Sequence, residues 1–144
     1  MITKIRHTGI VVKDLNKSTN FYKALGFKIS SRQVEAGSFV DKVVGLDNVE
    51  VETAKFFSPC GGMLELLQYH SHPVVEDLSK QHSNKLGCSH IAFSVASIKR
   101  TLEIITEHEG SFINPPAKSQ CGNFLVAYCH DLDGILIEIV EELK

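Results

Sequence analysis

The sequence predicts an α+β fold built from two tandem βαβββ units. A run of alternating, largely β-branched residues with a histidine near its start occurs twice, at residues 5–12 and 87–95. A polar turn and a helical stretch follow each run, and an apolar strand with one glutamate closes each half. Because an internal repeat indicates a repeated supersecondary unit, two copies of one module are expected.

Length and composition are consistent with one domain. The chain has 144 residues, of which 43% are hydrophobic and 22% charged, enough to bury a core. Residues 1–70 form the first predicted module and residues 87–144 the second. Residues 71–86, rich in Ser, Lys, Asp, Glu, Asn and His, read as the connector between them.

Charge and hydropathy exclude several classes of partner. The net charge is −2 and no basic run occurs, so neither nucleic acid nor a membrane is an expected partner. No apolar run approaches the roughly 18 residues of a membrane span, and the first residues lead into a strand rather than a signal peptide. A cytoplasmic protein is expected. The four cysteines form no Cys-x-x-Cys pair and are expected to be free, mostly buried thiols.

The first module has clear helix and strand signals. Asp14 or Asn16 can cap its first helix, and Gly26 can close it. Ser38 can cap a second, short helix whose apolar side comprises Phe39, Val40, Val43, Val44 and Leu46. The predicted order is a strand at 4–12, a helix at 17–25, a strand at 27–34, the short helix ending within 45–48, and strands at 49–57 and 62–69 joined by a turn at 58–62.

The second module repeats this order. Ser97 caps a helix that extends to His108, and Glu109 and Gly110 are expected to close it as Leu25 and Gly26 close the first. The strands are predicted at 87–95, 111–113, 122–130 and 135–141, with a Pro-Pro loop after the second and a turn at 131–134 before the last.

Each module begins with a histidine and ends with a glutamate. These residues are His7 and Glu65 in the first module and His90 and Glu138 in the second. Each glutamate interrupts an apolar strand, where an ionised carboxylate is costly unless it is paired or binds a cation. A lone strand histidine is more often a packed side chain than a ligand, but four matching positions in two repeats favour a metal site.

Side-chain alternation places the four residues on one face. Ile135, Ile137 and Ile139 suit packing against a helix, so Glu138 turns to the other side of its strand. His90 likewise shares a face with Ala92 and Ser94, whose small side chains leave room for a ligand. His7 shares a face with Gly9. All four polar side chains are therefore expected on the inner face of a curved sheet.

The donor set indicates the class of metal. Two imidazoles and two carboxylates suit a borderline or hard divalent ion such as Ni, Co, Zn, Mn or Fe. Four protein ligands in octahedral geometry leave two neighbouring positions for substrate oxygens, which favours chelation and stabilisation of an enediolate. His70, at the border of the polar connector, and His72 and His82 within it are expected to be solvated.

Several stretches resemble the vicinal oxygen chelate superfamily, the glyoxalase, bleomycin-resistance and extradiol-dioxygenase group. The matching stretches are residues 7–15, 21–27, 64–66, 89–95 and 131–141. The resemblance implies two βαβββ modules forming a curved mixed-sheet cup around one metal, in a protein that commonly pairs as a homodimer and sometimes exchanges modules between chains.

Within this superfamily the ligand positions resemble glyoxalase I most closely. Bacterial glyoxalase I enzymes carry His, Glu, His and Glu there, whereas epimerases usually have Gln in place of Glu65. Dioxygenases and fosfomycin-resistance enzymes use two His and one Glu, matching His7, His90 and Glu138. Bleomycin-binding proteins lack the ligands.

The resemblance to glyoxalase I implies a metal-dependent lyase or isomerase similar to lactoylglutathione lyase. Its substrate is a small α-hydroxycarbonyl or thiohemiacetal, such as a thiol adduct, and Glu138 or Glu65 moves a proton. The alternatives are an Fe(II)-dependent extradiol dioxygenase and a non-catalytic small-molecule binding or resistance protein. The residues expected to contact the substrate are Phe39, Met63, Ala92, Ser94 and Leu136.

Overall fold

A computed structural model describes residues 1–78 and 82–143, which form nine strands and three helices. The chain divides into two compact units, residues 1–75 and 76–144. Each unit opens with a strand and a helix and continues with further strands, so the predicted α+β fold is confirmed. None of the helices in the described ranges is long and apolar enough to cross a membrane.

Unit 1, residues 1–75, holds a four-stranded mixed sheet in the order β1-β4-β3-β2. β1 pairs with β4 in parallel, and the other neighbouring strands are antiparallel. In chain order its elements are β1 (Thr8–Val11), α1 (Leu15–Ala24), β2 (Lys28–Ala36), α2 (Ser38–Val44), β3 (Glu50–Phe57) and β4 (Met63–Tyr69).

The ends of α1 follow the sequence prediction. The Asp14 side chain accepts hydrogen bonds from the backbone N–H groups of Asn16 and Lys17, which satisfies two donors of the first turn. Gly26, just after the helix, has φ +99°, a conformation that favours glycine. On the buried side of the helix, Phe21 and Tyr22 are at most 1% exposed and pack edge to face.

Helix α2 differs from the prediction at its start and on its apolar side. Gly37 occupies the N-cap position, so Ser38 is the first helical residue rather than the cap. Val40 is buried against Val49 and Val51, whereas Phe39 is 76% exposed. A short helix presents one stripe to the sheet, and neighbouring residues are turned away from that stripe by about 100°.

Unit 2, residues 76–144, has a five-stranded sheet with the path β5-β9-β8-β6, and β7 also pairs with β8. β5 and β9 are parallel, as β1 and β4 are in unit 1. In chain order its elements are β5 (Ile91–Val95), α3 (Ile98–Glu107), β6 (Ser111–Phe112), β7 (Ala117–Lys118), β8 (Phe124–His130) and β9 (Leu136–Glu142).

Helix α3 begins as predicted and ends differently. The Ser97 side chain accepts a hydrogen bond from the backbone N–H of Arg100. After the helix the left-handed residue is Glu109, with φ +67°, and not Gly110. A Cβ on Gly110 would lie 2.7 Å from Ile105 Cγ2 and 2.8 Å from the His130 carbonyl oxygen, so close packing requires glycine there.

Both first strands are shorter than predicted, and each starts just after its histidine. β1 begins at Thr8, opposite Leu64, and β5 begins at Ile91, opposite Ile137. The partner strands β4 and β9 themselves start at Met63 and Leu136. Because a ladder extends only as far as its partner strand, residues 4–7 and 87–90 lie outside the sheets.

The cysteines are free, as expected, but the prediction that most are buried is wrong. Cys60, Cys88 and Cys121 are exposed, and only Cys129 among the four is buried. Hydrogen bonds from the Ser58 hydroxyl and the Gly62 backbone lower the pKa of Cys60, and Ser119 and Asn123 act in the same way on the pKa of Cys121. Burial raises the pKa of Cys129 to about 12.

Candidate metal centre

In unit 1 the parallel pairing of β1 with β4 sets His7 beside Glu65. Gly9 is the register partner of Glu65, and His7 lies two residues before Gly9. Since side chains alternate along an extended chain, His7 and Gly9 share a face. His7 Nε2 is 3.1 Å from Glu65 Oε2. The predicted first pair is therefore in contact.

In unit 2 the same register recurs. Ala92 is the register partner of Glu138, and His90 lies two residues before Ala92. His90 Nε2 is 2.9 Å from Glu138 Oε2. Gly9 and Ala92, directly opposite the two glutamates, are too small to cover the carboxylates. Both units thus present an imidazole nitrogen and a carboxylate oxygen side by side.

The two pairs have different neighbours on the third strand. Lys55 of β3 is the register partner of Glu65, and its Nζ lies 3.4 Å from Glu65 Oε1. Tyr128 of β8 is the register partner of Glu138. The glutamate of unit 1 therefore has a cation opposite it, and the glutamate of unit 2 has a phenol.

Tyr128 also helps to orient His90. Its hydroxyl lies 3.4 Å from His90 Nδ1, and the two rings meet edge to face with centroids 5.0 Å apart. The Ser89 hydroxyl lies 3.2 Å from the same nitrogen. With polar groups at Nδ1, the other ring nitrogen, Nε2, is directed at Glu138. In metal-binding histidines, the nitrogen that does not bind the metal generally hydrogen-bonds to a neighbouring polar group.

Burial differs between the two carboxylates. The Glu65 side chain is 11% exposed and that of Glu138 is 23% exposed. A carboxylate with so little access to water needs partners that offset its lost hydration. Glu65 has His7 on one oxygen and Lys55 on the other, whereas Glu138 forms its ion-pair contact with His90.

The spacing of each pair fits adjacent ligands of a divalent ion. Two ligand atoms at about 2.1 Å from a metal and at right angles are about 3.0 Å apart, and the observed separations are 3.1 Å and 2.9 Å. The same spacing suits a charge-assisted hydrogen bond, which holds the pair when no ion is bound. Within residues 1–78 and 82–143, no group of three or more His, Cys, Asp or Glu side chains is arranged to hold an ion. A four-ligand site stays a prediction.

The predicted substrate contacts differ in accessibility. Ala92 and Ser94 are exposed on β5, and Met63, the first residue of β4, is half-buried. Phe39 is 76% exposed on α2, while Leu136 is 1% exposed. Leu136 therefore offers a ligand almost no surface in this conformation, and contact with substrate stays a prediction for all five residues.

A separate charged cluster was not anticipated from the sequence. Arg32 Nε lies 2.6 Å from Glu52 Oε1, and His70 Nε2 lies 3.0 Å from Glu52 Oε2. The hydrogen bond from Arg32, and secondly that from His70, hold the pKa of Glu52 below its usual range. Glu52 is three residues from Lys55 along β3, so it lies on the opposite face of the sheet from Glu65. His70 is thus paired in this cluster and not simply solvated.

The prediction also missed Lys55 and Tyr128, although the sequence contained a signal for Lys55. The turn at 58–62 centres on Cys60, and Lys55 and Glu65 are equidistant from that centre. A hairpin register drawn from the turn would have paired them. The same construction around the turn at 131–134 would pair Glu138 with Ala127, one residue away from its observed partner Tyr128.

Comparisons with known proteins agree with this architecture. The family model described as Glyoxalase/Bleomycin resistance protein/Dioxygenase superfamily matches residues 4–139. A glyoxalase family protein from Bacillus cereus has a similar structure, with a TM-score of 0.92 and 25% identity over 100% of this chain and 97% of that chain. None of the curated proteins compared with the chain matches it.

A more distant structural neighbour has a bound metal. The fosfomycin resistance protein FosX from Listeria monocytogenes, in complex with Mn(II) and sulfate, has a TM-score of 0.65 and 19% identity, covering 99% of this chain and 95% of that one. This likeness concerns the fold. The family match extends over nearly the whole sequence, and each unit has a first strand, a helix and further strands of a mixed sheet. The chain therefore belongs to the glyoxalase/bleomycin resistance protein/dioxygenase superfamily, the vicinal oxygen chelate group.

Proposed function

We propose that this chain is a metal-dependent lyase or isomerase of the glyoxalase type, in which His7, Glu65, His90 and Glu138 hold one divalent ion. The observation that carries the proposal is the recurrence of one His–Glu register, with Nε2 to Oε2 separations of 3.1 Å and 2.9 Å, in both units. The donor set suits Ni, Co, Zn, Mn or Fe. When bound, such an ion supplies Lewis-acid stabilisation of negative charge on substrate oxygens.

Glu138 is the better candidate for the group that moves a proton between adjacent substrate carbons. Its side chain is 23% exposed, against 11% for Glu65. Both oxygens of Glu65 have close partners, His7 and Lys55. A general base must reach the proton it abstracts, so the more accessible carboxylate is preferred.

The substrate class follows from the proposed site. A small α-hydroxycarbonyl or thiohemiacetal has two vicinal oxygens, and the exposed Ala92 and Ser94 beside His90 leave space for it. In another structure, a mutant of FosX from Listeria monocytogenes is in complex with Mn(II) and 1S,2S-dihydroxypropylphosphonic acid, a small molecule with vicinal hydroxyls. We expect a homodimer in the cytoplasm, the usual symmetric assembly, with the four ligands supplied by one chain or by two.

The test is proton exchange at the substrate carbon, combined with elemental analysis. With hemithioacetals of glutathione and of other thiols, Glu138→Gln is expected to reduce solvent exchange by about 10²–10⁴-fold while some metal stays bound. Glu142→Gln on the same strand makes the same charge change at an exposed position and should exchange normally. Undiminished exchange in Glu138→Gln would reject the assignment.

Metal content separates this proposal from a non-catalytic one. Purified protein is incubated with Ni, Co, Zn, Mn or Fe ions, and its metal is then measured. Stoichiometric metal supports the enzyme. Protein that stays metal-free favours a small-molecule binding or resistance role for the same fold.

A second candidate function is an Fe(II)-dependent extradiol dioxygenase. The observation in its favour is the contact between Lys55 and Glu65, which leaves His7, His90 and Glu138 as a two-His, one-carboxylate set. Oxygen consumption with catechols by the Fe(II)-loaded protein would support it. Anaerobic turnover with Ni, Co or Zn would exclude it.

A further inference from the structure

Lys55 is a cation placed directly against one of the proposed metal ligands. Its Nζ lies 3.4 Å from Glu65 Oε1, while His7 approaches the other oxygen, Oε2. The pair is part of the sheet, because Lys55 and Glu65 are register partners in the antiparallel β3–β4 ladder. The Lys55 side chain is 33% exposed and that of Glu65 is 11% exposed. Limited access to water strengthens their attraction relative to a surface pair.

The corresponding position of unit 2 carries no charge. Tyr128 is the register partner of Glu138 in the β8–β9 ladder. Its hydroxyl group lies near His90 Nδ1. The same backbone arrangement therefore supplies a cation to one glutamate and a phenol to the other.

We propose that Lys55 is the built-in counter-ion of Glu65 and competes with a divalent ion for this carboxylate. The inference rests on the proposed function, because it treats Glu65 as a metal ligand. In the metal-free protein the ammonium offsets the lost hydration of Glu65. An ion bound to Glu65 has a like charge across one carboxylate group, and this repulsion lowers metal affinity. Lys55 thus limits how tightly the metal is held.

Replacing Lys55 by methionine tests the sign of this effect. Methionine has a similar length and no charge, so Lys55→Met is expected to bind Ni²⁺ or Mn²⁺ at least tenfold more tightly, measured by isothermal titration of the metal alone. Lys55→Arg keeps the charge and should bind as the wild type does. Lys23→Met is the matched control, since Lys23 is exposed on α1 and the net charge change is the same.

Thermal denaturation of the metal-free proteins supplies a second readout. Lys55→Met should melt at a lower temperature than the wild type without metal, because Glu65 has lost its counter-ion, and should gain more in melting temperature when metal is added. A purely structural role for Lys55 would lower stability without tightening metal binding.

The outcomes separate this inference from the proposed function. Unchanged or weaker metal binding by Lys55→Met, when the wild type binds metal, overturns the inference and leaves the metal site standing. An absence of metal binding in the wild type and in every variant overturns both. Tighter binding by Lys55→Met but not by Lys55→Arg or Lys23→Met establishes the counter-ion.

Discussion

Unit 1 places a lysine opposite its glutamate, whereas unit 2 places a tyrosine there. In both units the histidine lies two residues before the register partner of the glutamate, and the Nε2 to Oε2 separations differ by only 0.2 Å. The two His–Glu pairs share one backbone arrangement, the parallel pairing of β1 with β4 and of β5 with β9. Backbone pairing therefore sets the ligand geometry, and the side chain on the third strand sets the charge around it.

The ends of α1 and α3 provide a second comparison. A glycine follows each helix at a similar place, but for different reasons. Gly26 has φ +99° with open space where a Cβ would be, and Gly110 has a Cβ position blocked by Ile105 and by the His130 carbonyl. The glycine after the helix is thus required by backbone conformation in unit 1 and by close packing in unit 2.

The largest expected effect comes from removing one histidine in either unit. His7→Ala and His90→Ala should each lower metal affinity by at least about 100-fold, because loss of outer-shell partners alone costs about 10–100-fold. Competition titration with a metal-binding dye measures the affinity. His82→Ala, at an exposed position of the connector, should bind normally. If only one of the two histidines matters, the two pairs do not share one ion.

The second prediction concerns the two glycines. Gly110→Ala should lower the free energy of unfolding by about 3 kcal/mol, because a Cβ would meet Ile105 and backbone atoms that cannot move aside easily. Gly26→Ala should cost only about 1 kcal/mol, the strain of a left-handed residue in open space. Chemical denaturation followed by circular dichroism measures both, and an equal or larger cost at Gly26 would contradict the packing explanation.

The smallest effect is expected from the charged clusters. Arg32 and Glu52 of unit 1 are 34% and 19% exposed, whereas Arg100 and Glu103 of unit 2 are 60% and 46% exposed. Arg32→Met should therefore cost about 1 kcal/mol at neutral pH, and Arg100→Met about 0.3 kcal/mol. Thermal denaturation at several pH values would measure these differences.

The same experiment has a defined pH dependence. The pKa of Glu52 is lowered in the folded protein, mainly by the hydrogen bond from Arg32. The contribution of ionised Glu52 to folding stability is therefore fully present above the unfolded carboxyl pKa of about 4.3. The contribution is lost as the pH falls through the lower, folded value. The difference in stability between wild type and Arg32→Met should close at acid pH. A constant difference down to pH 2 would contradict the Glu52 assignment.

Much of the architecture could be predicted from local residues. Ser97 is the predicted cap of α3, and Asp14 is one of the two predicted candidates for α1. Both side chains accept the backbone hydrogen bonds expected of caps. A cap depends only on residues within one turn, which adjoin it in the sequence. The repeated His and Glu positions were equally readable, because each occurs at a matching place in the two similar halves of the sequence.

Other features depended on partners distant in the sequence. The strands that follow His7 and His90 were predicted too long, since β4 and β9 decide where the ladders begin. The strands on either side of the Pro-Pro loop at 115–116, β6 and β7, are each two residues long and pair with β8. Proline has no N–H with which to extend a ladder.

Residue types and spacing along the chain therefore determine the repeat and the caps, and they identify the two histidines and the two glutamates as matching positions. The register of the parallel strands then brings each His–Glu pair together. Tertiary structure alone decides that Glu65 has Lys55 opposite it, that Glu138 has Tyr128, and that Gly110 lies against Ile105 and His130. The physical reason is that hydrogen-bond register and packing bring together residues that are distant in sequence, and no local preference encodes those contacts.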